Sequence, residues 1–469
     1  MKLSKDYFEN KYRLRKRLGV KESFDILERT LSVNGKEMCF FFVDGFVKDG
    51  EIQRIMQTLL SSKEIGTAKD VLLKLPYVEV DLVHSEEEII RGVLSGQSAL
   101  LSEGFLDSCI MIDARTYPAR PTSEPDNDRV MQGAHDGFVE TLSINTALIR
   151  RRIRDESLVM RHFDMGGYSK TDVVMCYVRG IADDKTVEEV SEKLKNAKPK
   201  TLTLGFQSLA ETLIRRGWLN PFPKIRTTER PDTAAAELLE GSIIVICDTS
   251  PQAMILPSSI FDYVQETDEF YYPPLTGTYL RLVRIFILAL SVVVTPLWYL
   301  YLEYSEILPA ALRFLIPESP GPIPIIFQLL LVELAIDGLK IASMNTPDML
   351  SNSLSVIGAL ILGDFAVTTG WLCADVILYM AFVAIANFAQ QNHELGYAFK
   401  FSRVVILILV YLFKIYGFIL GLIFTTILAA TNKTVTRRGY LYPLIPFSAR
   451  AFWRLIIRGK KRDFNNQKT

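Results

Sequence analysis

The sequence predicts an α/β soluble region of two similar subdomains followed by an α-helical transmembrane bundle. Three observations carry this reading. First, polarity changes at Arg284: a charged, mixed sequence gives way to long apolar runs such as Ile285–Leu302 and Val404–Ala430. The second run has Lys414 as its only charge and exceeds the roughly 20 apolar residues that cross a bilayer as helix. Second, the region before Arg284 carries the same order of elements twice. Third, carboxylates recur inside the apolar runs of the last third.

Composition narrows the function classes. Acidic and basic residues number 53 each, so net charge offers no argument for a nucleic-acid partner. Five cysteines without a CxxC pair suit a reducing compartment, and the four histidines lack ligand spacing, so no metal is expected. Gly-rich phosphate loops, HExxH and GxSxG are missing, so neither a cofactor nor an enzyme is expected.

Taken in order, residues 1–23 read as a basic N-terminal tail. Its segment MKLSKDYFENKYRLRKRLG has no apolar stretch, so no signal peptide is expected and the soluble region stays cytoplasmic. The cluster Lys11, Arg13, Arg15, Lys16 and Arg17 either meets anionic headgroups or stays solvated.

Residues 24–170 and 171–275 form the two subdomains. MCFFFVDGFVKDGEIQRIMQTLL (38–60) reads as strand, turn and amphipathic helix, and VVMCYVRGIADDKTVEEVSEKLKN (173–196) repeats that order. Residues 85–114 read as a helix and a hairpin turning at Glu103-Gly104. Residues 230–258 read as a helix and a strand pair around Asp248–Pro251. Two such lobes leave a cleft suited to a small ligand, or else stack to build an oligomer interface.

Between the lobes, a helix from Asp136 closes on Arg150, Arg151, Arg152 and Arg154, where cations complement the dipole. These four are candidates for a subunit interface, as are Arg226, Glu229 and Arg230 in the Pro-rich joint NPFPKIRTTERPD. A solvated helix end is the plainer alternative for the arginine run.

Residues 276–440 form the membrane domain. Ile285–Leu302 and Val404–Ala430 are full spans, flanked by Arg281 and Arg284 and by Lys400 and Arg403. Ile323–Ile341, Leu354–Thr369 and Trp371–Phe388 are weaker candidates. If both chain ends share one side the crossings are even, and Ile307–Ile316 is a candidate short sixth. Residues 441–469 read as a basic amphipathic tail on the inner leaflet.

Glu333 and Asp337 stand four apart on one helix face, and Asp364 and Asp375 lie in or beside the next apolar runs. Ionisable groups at membrane depth usually face a bundle interior or an aqueous path. With the small polar surface around them, Glu333, Asp337, Ser355, Gly358, Asp364 and Thr368 are the pore or gate candidates. Ordinary small-residue packing is the competing reading. Five candidate helices are few for an inverted-repeat transporter, which favours a pore shared between subunits.

The strings FFFVDGFVKD, GAHDGFVETLSINTALIRRRIRD, NPFPKIRTTERPDTAAAELLEG and PIPIIFQLLLVELAIDGLK resemble the A subunits of bacterial spore germinant receptors, the GerA family. AQQNHELGYAFKF and NKTVTRRGYLYPLIPF are most similar to its stage V sporulation AF branch. The resemblance implies the inner membrane of the spore, with the soluble region facing the core. It implies homo-oligomers that pass or gate ions in germination, beside receptor B and C type subunits or a small membrane partner. Nutrient binding by the soluble lobes and a scaffold for dipicolinate release are the alternatives. Where the family often shows an amide, this chain has Asp364.

Overall fold

The computed structural model describes residues 2–62, 66–117, 133–214, 220–265, 268–306, 309–344, 358, 363, 365–390, 392–432, 434–436 and 439–457. The chain divides into two compact units. One is built from residues 1–216, 225–258 and 434–438, the other from 217–224, 259–433 and 439–469.

The first unit holds two antiparallel five-stranded sheets with the same strand order. In the first, β1 (Ile26–Val33), β2 (Lys36–Val43), β3 (Val80–Val83), β4 (Ser98–Ser102) and β5 (Cys109–Ile112) lie in the order β1-β2-β4-β5-β3. In the second, β6 (Leu158–Met165), β7 (Thr171–Val178), β8 (Arg226–Thr228), β9 (Ile243–Cys247) and β10 (Ala253–Leu256) lie in the order β6-β7-β9-β10-β8. The internal repeat is therefore a repeat of topology.

Alternation explains why the central strands read as unbroken apolar runs. On β2, Cys39, Phe41 and Val43 face α1 (Tyr7–Leu18) and α4 (Glu86–Leu94). Met38 and Phe40 face α2 (Asp49–Leu60) and α3 (Ala68–Lys74). Strand β7 does the same, with Val173 and Met175 toward α6 (Asp184–Asn196) and α7 (Phe206–Leu213). Its Val174 and Cys176 face α5 (Leu142–Arg152) and α8 (Pro231–Glu240). Both faces are covered there, so 38–43 of β2 and 173–178 of β7 are apolar or aromatic at every position.

Two expected boundaries move. Residues 1–23 are no tail: α1 is capped by Asp6 and buries Tyr7, Leu14 and Leu18 against the first lobe. Its cations are held by carboxylates of that lobe, Lys11 by Glu37 at 2.5 Å, Arg15 by Glu28 at 3.2 Å and Arg13 by Glu86. Amphipathic spacing, 7-14-18, explains the docking. Strand β6 also belongs to the second sheet, so the first subdomain does not extend to residue 170. Helix α5 packs with the second lobe too.

The four cysteines of this unit are all buried. Burial pushes the Cys39 and Cys247 thiols up to about 12 and those of Cys109 and Cys176 further still. Alkylation of the native chain at pH 8 is therefore expected to spare all four, and full labelling is expected only in denaturant, as read by mass spectrometry.

The second unit is helical. It contains α9 (Asp268–Tyr271), α10 (Pro274–Glu303), α11 (Ile325–Met344), α12 (Ala374–Phe388), α13 (His393–Ala430) and α14 (Ala449–Ile456). Helix α10 is long and apolar enough to cross a membrane, as is α13 if its length is counted end to end. Residues 310–315 form only a short 3-10 turn, so the expected sixth span at Ile307–Ile316 is not seen in its described part. The expected Leu354–Thr369 span lies mostly outside the described residues.

The Val404–Ala430 run is not one straight span. Lys414 adopts φ 52° and ψ −126° inside α13, and the chain reverses there. A Cβ on Gly421 would lie 3.1 Å from Ile406 Cα, and one on Gly417 would strike the Leu409 carbonyl. Residues so far apart in sequence meet only if 393–413 and 415–430 form an antiparallel hairpin, since a straight helix separates them at about 1.5 Å per residue. The arms are roughly 30 and 24 Å long. At the tip, Lys414 pairs with Glu303 at the end of α10, at 3.2 Å.

Side-chain pairs fix the directions. Glu333 meets Arg403 and Lys340 lies over Tyr397, so α11 runs antiparallel to the first hairpin arm. Gln328 accepts from the Cys373 amide at 2.7 Å, so α11 and α12 start at the same end. Hence the apolar run that looked like one crossing supplies two elements.

Replacing Gly417 by valine is expected to open the hairpin, because the added carbons occupy the space of a backbone carbonyl. Disulfide trapping between cysteines placed at Ile406 and Gly421, whose Cβ atoms would stand 3.2 Å apart, should fall several-fold, with Lys414→Gln as the milder control. Unchanged trapping would contradict the hairpin.

Candidate functional site

The helical unit encloses a cluster of four charges. Glu333 and Asp337, one turn apart on α11, face Lys400 and Arg403, nearly one turn apart on the first arm of α13. Arg403 Nη2 donates to Glu333 Oε1 at 2.6 Å, Lys400 Nζ lies 3.5 Å from the same oxygen, and Lys400 also pairs with Asp337. Arg403 Nη1 donates to the Ser291 carbonyl of α10 at 2.9 Å.

Three helices are thus joined through one guanidinium, which is 1% exposed. The Ser291 hydroxyl bonds back to the Leu288 carbonyl at 2.7 Å, as hydroxyls in helices do, and the Ser291 carbonyl has a second lone pair with which to accept Arg403. Two acids and two bases cancel formally, so the closed cluster presents little net charge. Separating the helices would expose uncompensated carboxylates. Removing one partner of such a buried pair leaves a charge uncompensated, at a cost of about 3–5 kcal/mol.

A second concavity lies in the α/β unit, where residues 20–28 pass β6. The cleft is about 460 Å³ and is lined by Arg15, Lys21, Phe24, Glu28, Arg161 and His162. His162 stacks on Phe24 at 5.0 Å, and its Nε2 lies 2.7 Å from Asp172 Oδ1. Among the described residues no group of His, Cys, Asp and Glu is arranged to hold a metal ion.

The family described as Bacillus/Clostridium GerA spore germination protein matches residues 13–469. The chain belongs to the GerA family. It is 37% identical to stage V sporulation protein AF of Bacillus subtilis (strain 168), over 98% of this chain and 92% of that one. Spore germination protein A1 of the same organism is 24% identical, over 95% and 94%. The crystal structure of the N-terminal domain of the A subunit of the Bacillus megaterium spore germinant receptor GerK3 is 26% identical. It covers 54% of this chain and 96% of its own, with a TM-score of 0.42.

In this GerA-family chain the expected pore or gate residues separate. Glu333 and Asp337 enter the cluster. Gly358 lies against α11, where a Cβ would come within 2.5 Å of Leu339 Cδ2. Thr368 is exposed at the end of a short helical turn and bonds to the Phe365 carbonyl at 3.2 Å. Ser355 and Asp364 lie outside the described residues. Asp375 accepts from the Cys373 thiol at the start of α12, at 3.2 Å.

Lys400 and Arg403 were expected as flanking charges before a span. The helix begins seven residues earlier, at His393, so both lie inside it. The missed signal was complementary spacing: acids at 333 and 337, bases at 400 and 403.

The expected subunit-interface residues all have partners within this chain. Arg150 and Arg230 are fully enclosed, which removes both side chains from any outside contact. Arg150 binds Asp25 through two nitrogens at 2.6 and 3.1 Å, and Arg230 binds Asp232 at 2.7 and 3.1 Å. Arg152 clamps Asp136, Arg226 meets Glu237 at 2.6 Å, and Glu229 accepts from Gln252 at 2.8 Å. Arg151 and Arg154 stack over Tyr117, at 4.7 and 5.6 Å.

Proposed function

We propose that this chain is an integral membrane subunit of a spore germination complex, and that copies of its helical unit assemble to form or gate an ion-conducting pore. The observation that carries the reading is the Glu333–Arg403 and Asp337–Lys400 cluster, which holds three apolar helices by charges that can part. The pore is shared between subunits, because one chain offers few helices to enclose a path. Its home is the inner membrane of the spore, with the α/β unit toward the core and receptor B and C type subunits or a small membrane protein as partners.

Ion flux in vesicles tests this. The purified chain, alone or with its membrane partners, is expected to release trapped potassium, and Arg403→Gln is expected to change the rate at least several-fold. No flux in any combination sinks the reading.

The 460 Å³ cleft between the lobes favours a second reading, a receptor subunit that binds a small nutrient there. Calorimetric titration of the full chain with amino acids and sugars separates the two. Saturable heat abolished by Arg161→Ala supports the receptor, and silence across the panel counts against it.

A further inference from the structure

After the hairpin, residues 441–457 return to the end of the helical unit where α10 begins. This segment carries a row of large apolar side chains in the open: Leu444, Ile445, Phe447, Trp453 and Ile457, each between 42% and 67% exposed. The inner face of α14 is different, with Leu455 buried against the unit. The segment is firmly held. Arg281 of α10 donates from Nη1 to the Leu455 carbonyl at 3.0 Å, and its Nε binds Glu269 at 2.7 Å. Glu269 also receives Arg284. An exposed apolar row on a fixed support is not a fraying end.

We propose that residues 441–457 form an interfacial foot that lies on an anionic membrane surface. The segment is held through Arg281 to the first turns of α10, which also expose apolar side chains, Leu275, Tyr279 and Leu282. Its charge is of one sign: between Leu441 and Arg462 the sequence has Arg450, Arg454, Arg458, Lys460, Lys461 and Arg462 and no acid. Arg450 and Arg454 fall four apart in the sequence of α14. Cations beside tryptophan and aliphatic anchors match lipid headgroups above an acyl boundary. A protein partner for the same row would need acids to meet those cations.

The inference rests on the membrane reading of α10 and α13. The full chain is reconstituted in vesicles of phosphatidylglycerol and phosphatidylcholine brominated either near the top or at the middle of the acyl chains. Tryptophan emission is compared with that of Trp453→Phe. The component lost in the variant is expected to be quenched roughly twofold by shallow bromine and much less by deep bromine. Arg450→Gln with Arg454→Gln is expected to reduce that quenching in anionic vesicles and to leave it unchanged in neutral ones.

If the Trp453 component is unquenched at both depths while Trp298 and Trp371 respond, the foot is covered by protein and the proposal is overturned. If no tryptophan responds, the membrane reading falls and the foot falls with it.

Discussion

Replacing Arg150 by alanine is expected to lower the stability of the α/β unit by about 3–5 kcal/mol, the cost of leaving a buried charge without its partner. Arg150 and Asp25 have no solvent exposure. Besides its two bonds to Asp25, Arg150 donates to the carbonyls of Asp155 and Leu158, each at 3.1 Å, and to the Ser23 hydroxyl at 3.2 Å. Ser23 in turn donates to Asp25 at 2.6 Å and accepts from the Met160 amide at 3.1 Å.

The network joins the entry to β1 in the first lobe with α5 and β6 in the second. Truncation therefore strands a carboxylate and two carbonyls at once. Hydrogen exchange of the full chain reads the effect directly, as faster opening of β6 and β7 amides than of β2 and β4. Asp25→Ala should cost a similar amount, and the double variant much less than the sum, because the second change removes the stranded charge. Additive losses would mean the two groups act independently.

Arg403→Ala is expected to be the corresponding change in the helical unit, at about 3–5 kcal/mol. Glu333 would keep only Lys400 at 3.5 Å, and the Ser291 carbonyl would lose its donor. In an apolar surround neither group has water to turn to. The apparent Tm in detergent should drop, and exchange should rise where α10, α11 and the first arm of α13 face one another. Arg403→Met combined with Glu333→Leu restores packing without charge and is expected to recover most of the loss. Retained stability together with altered ion flux in that double variant would separate gating from folding. Equal destabilisation of the single and double variants would contradict the pairing.

Much of the α/β unit was legible because its signals are local. The run MCFFFV at 38–43, bounded by Glu37 and Asp44, and its counterpart VVMCYV at 173–178 announce strands, since a sheet covered on both faces leaves no polar position. Edge strands were harder. β1 reads ILERTLSV, with four of its eight positions polar, because one edge faces solvent. β8 has three residues, too few for any period. Helix α1 looked like a tail because its five cations match its apolar and aromatic residues in number, and the facing glutamates make it a docked element.

Sequence alone determined the change of polarity at Arg284, the duplicated order of elements and the family. Each follows from composition or from patterns within a few residues. Tertiary structure decided the rest. Whether Lys414 interrupts a span or turns a hairpin depends on the backbone at one residue and on glycines that admit a second helix. Whether Arg150 meets a neighbour or ties together the two lobes of its own chain depends on Asp25, far away in sequence. Whether Lys400 and Arg403 flank a helix or latch three depends on where Glu333 and Asp337 stand. Charges carry no address in a sequence; burial assigns their partners, because an unpaired charge inside costs more than the chain can spare.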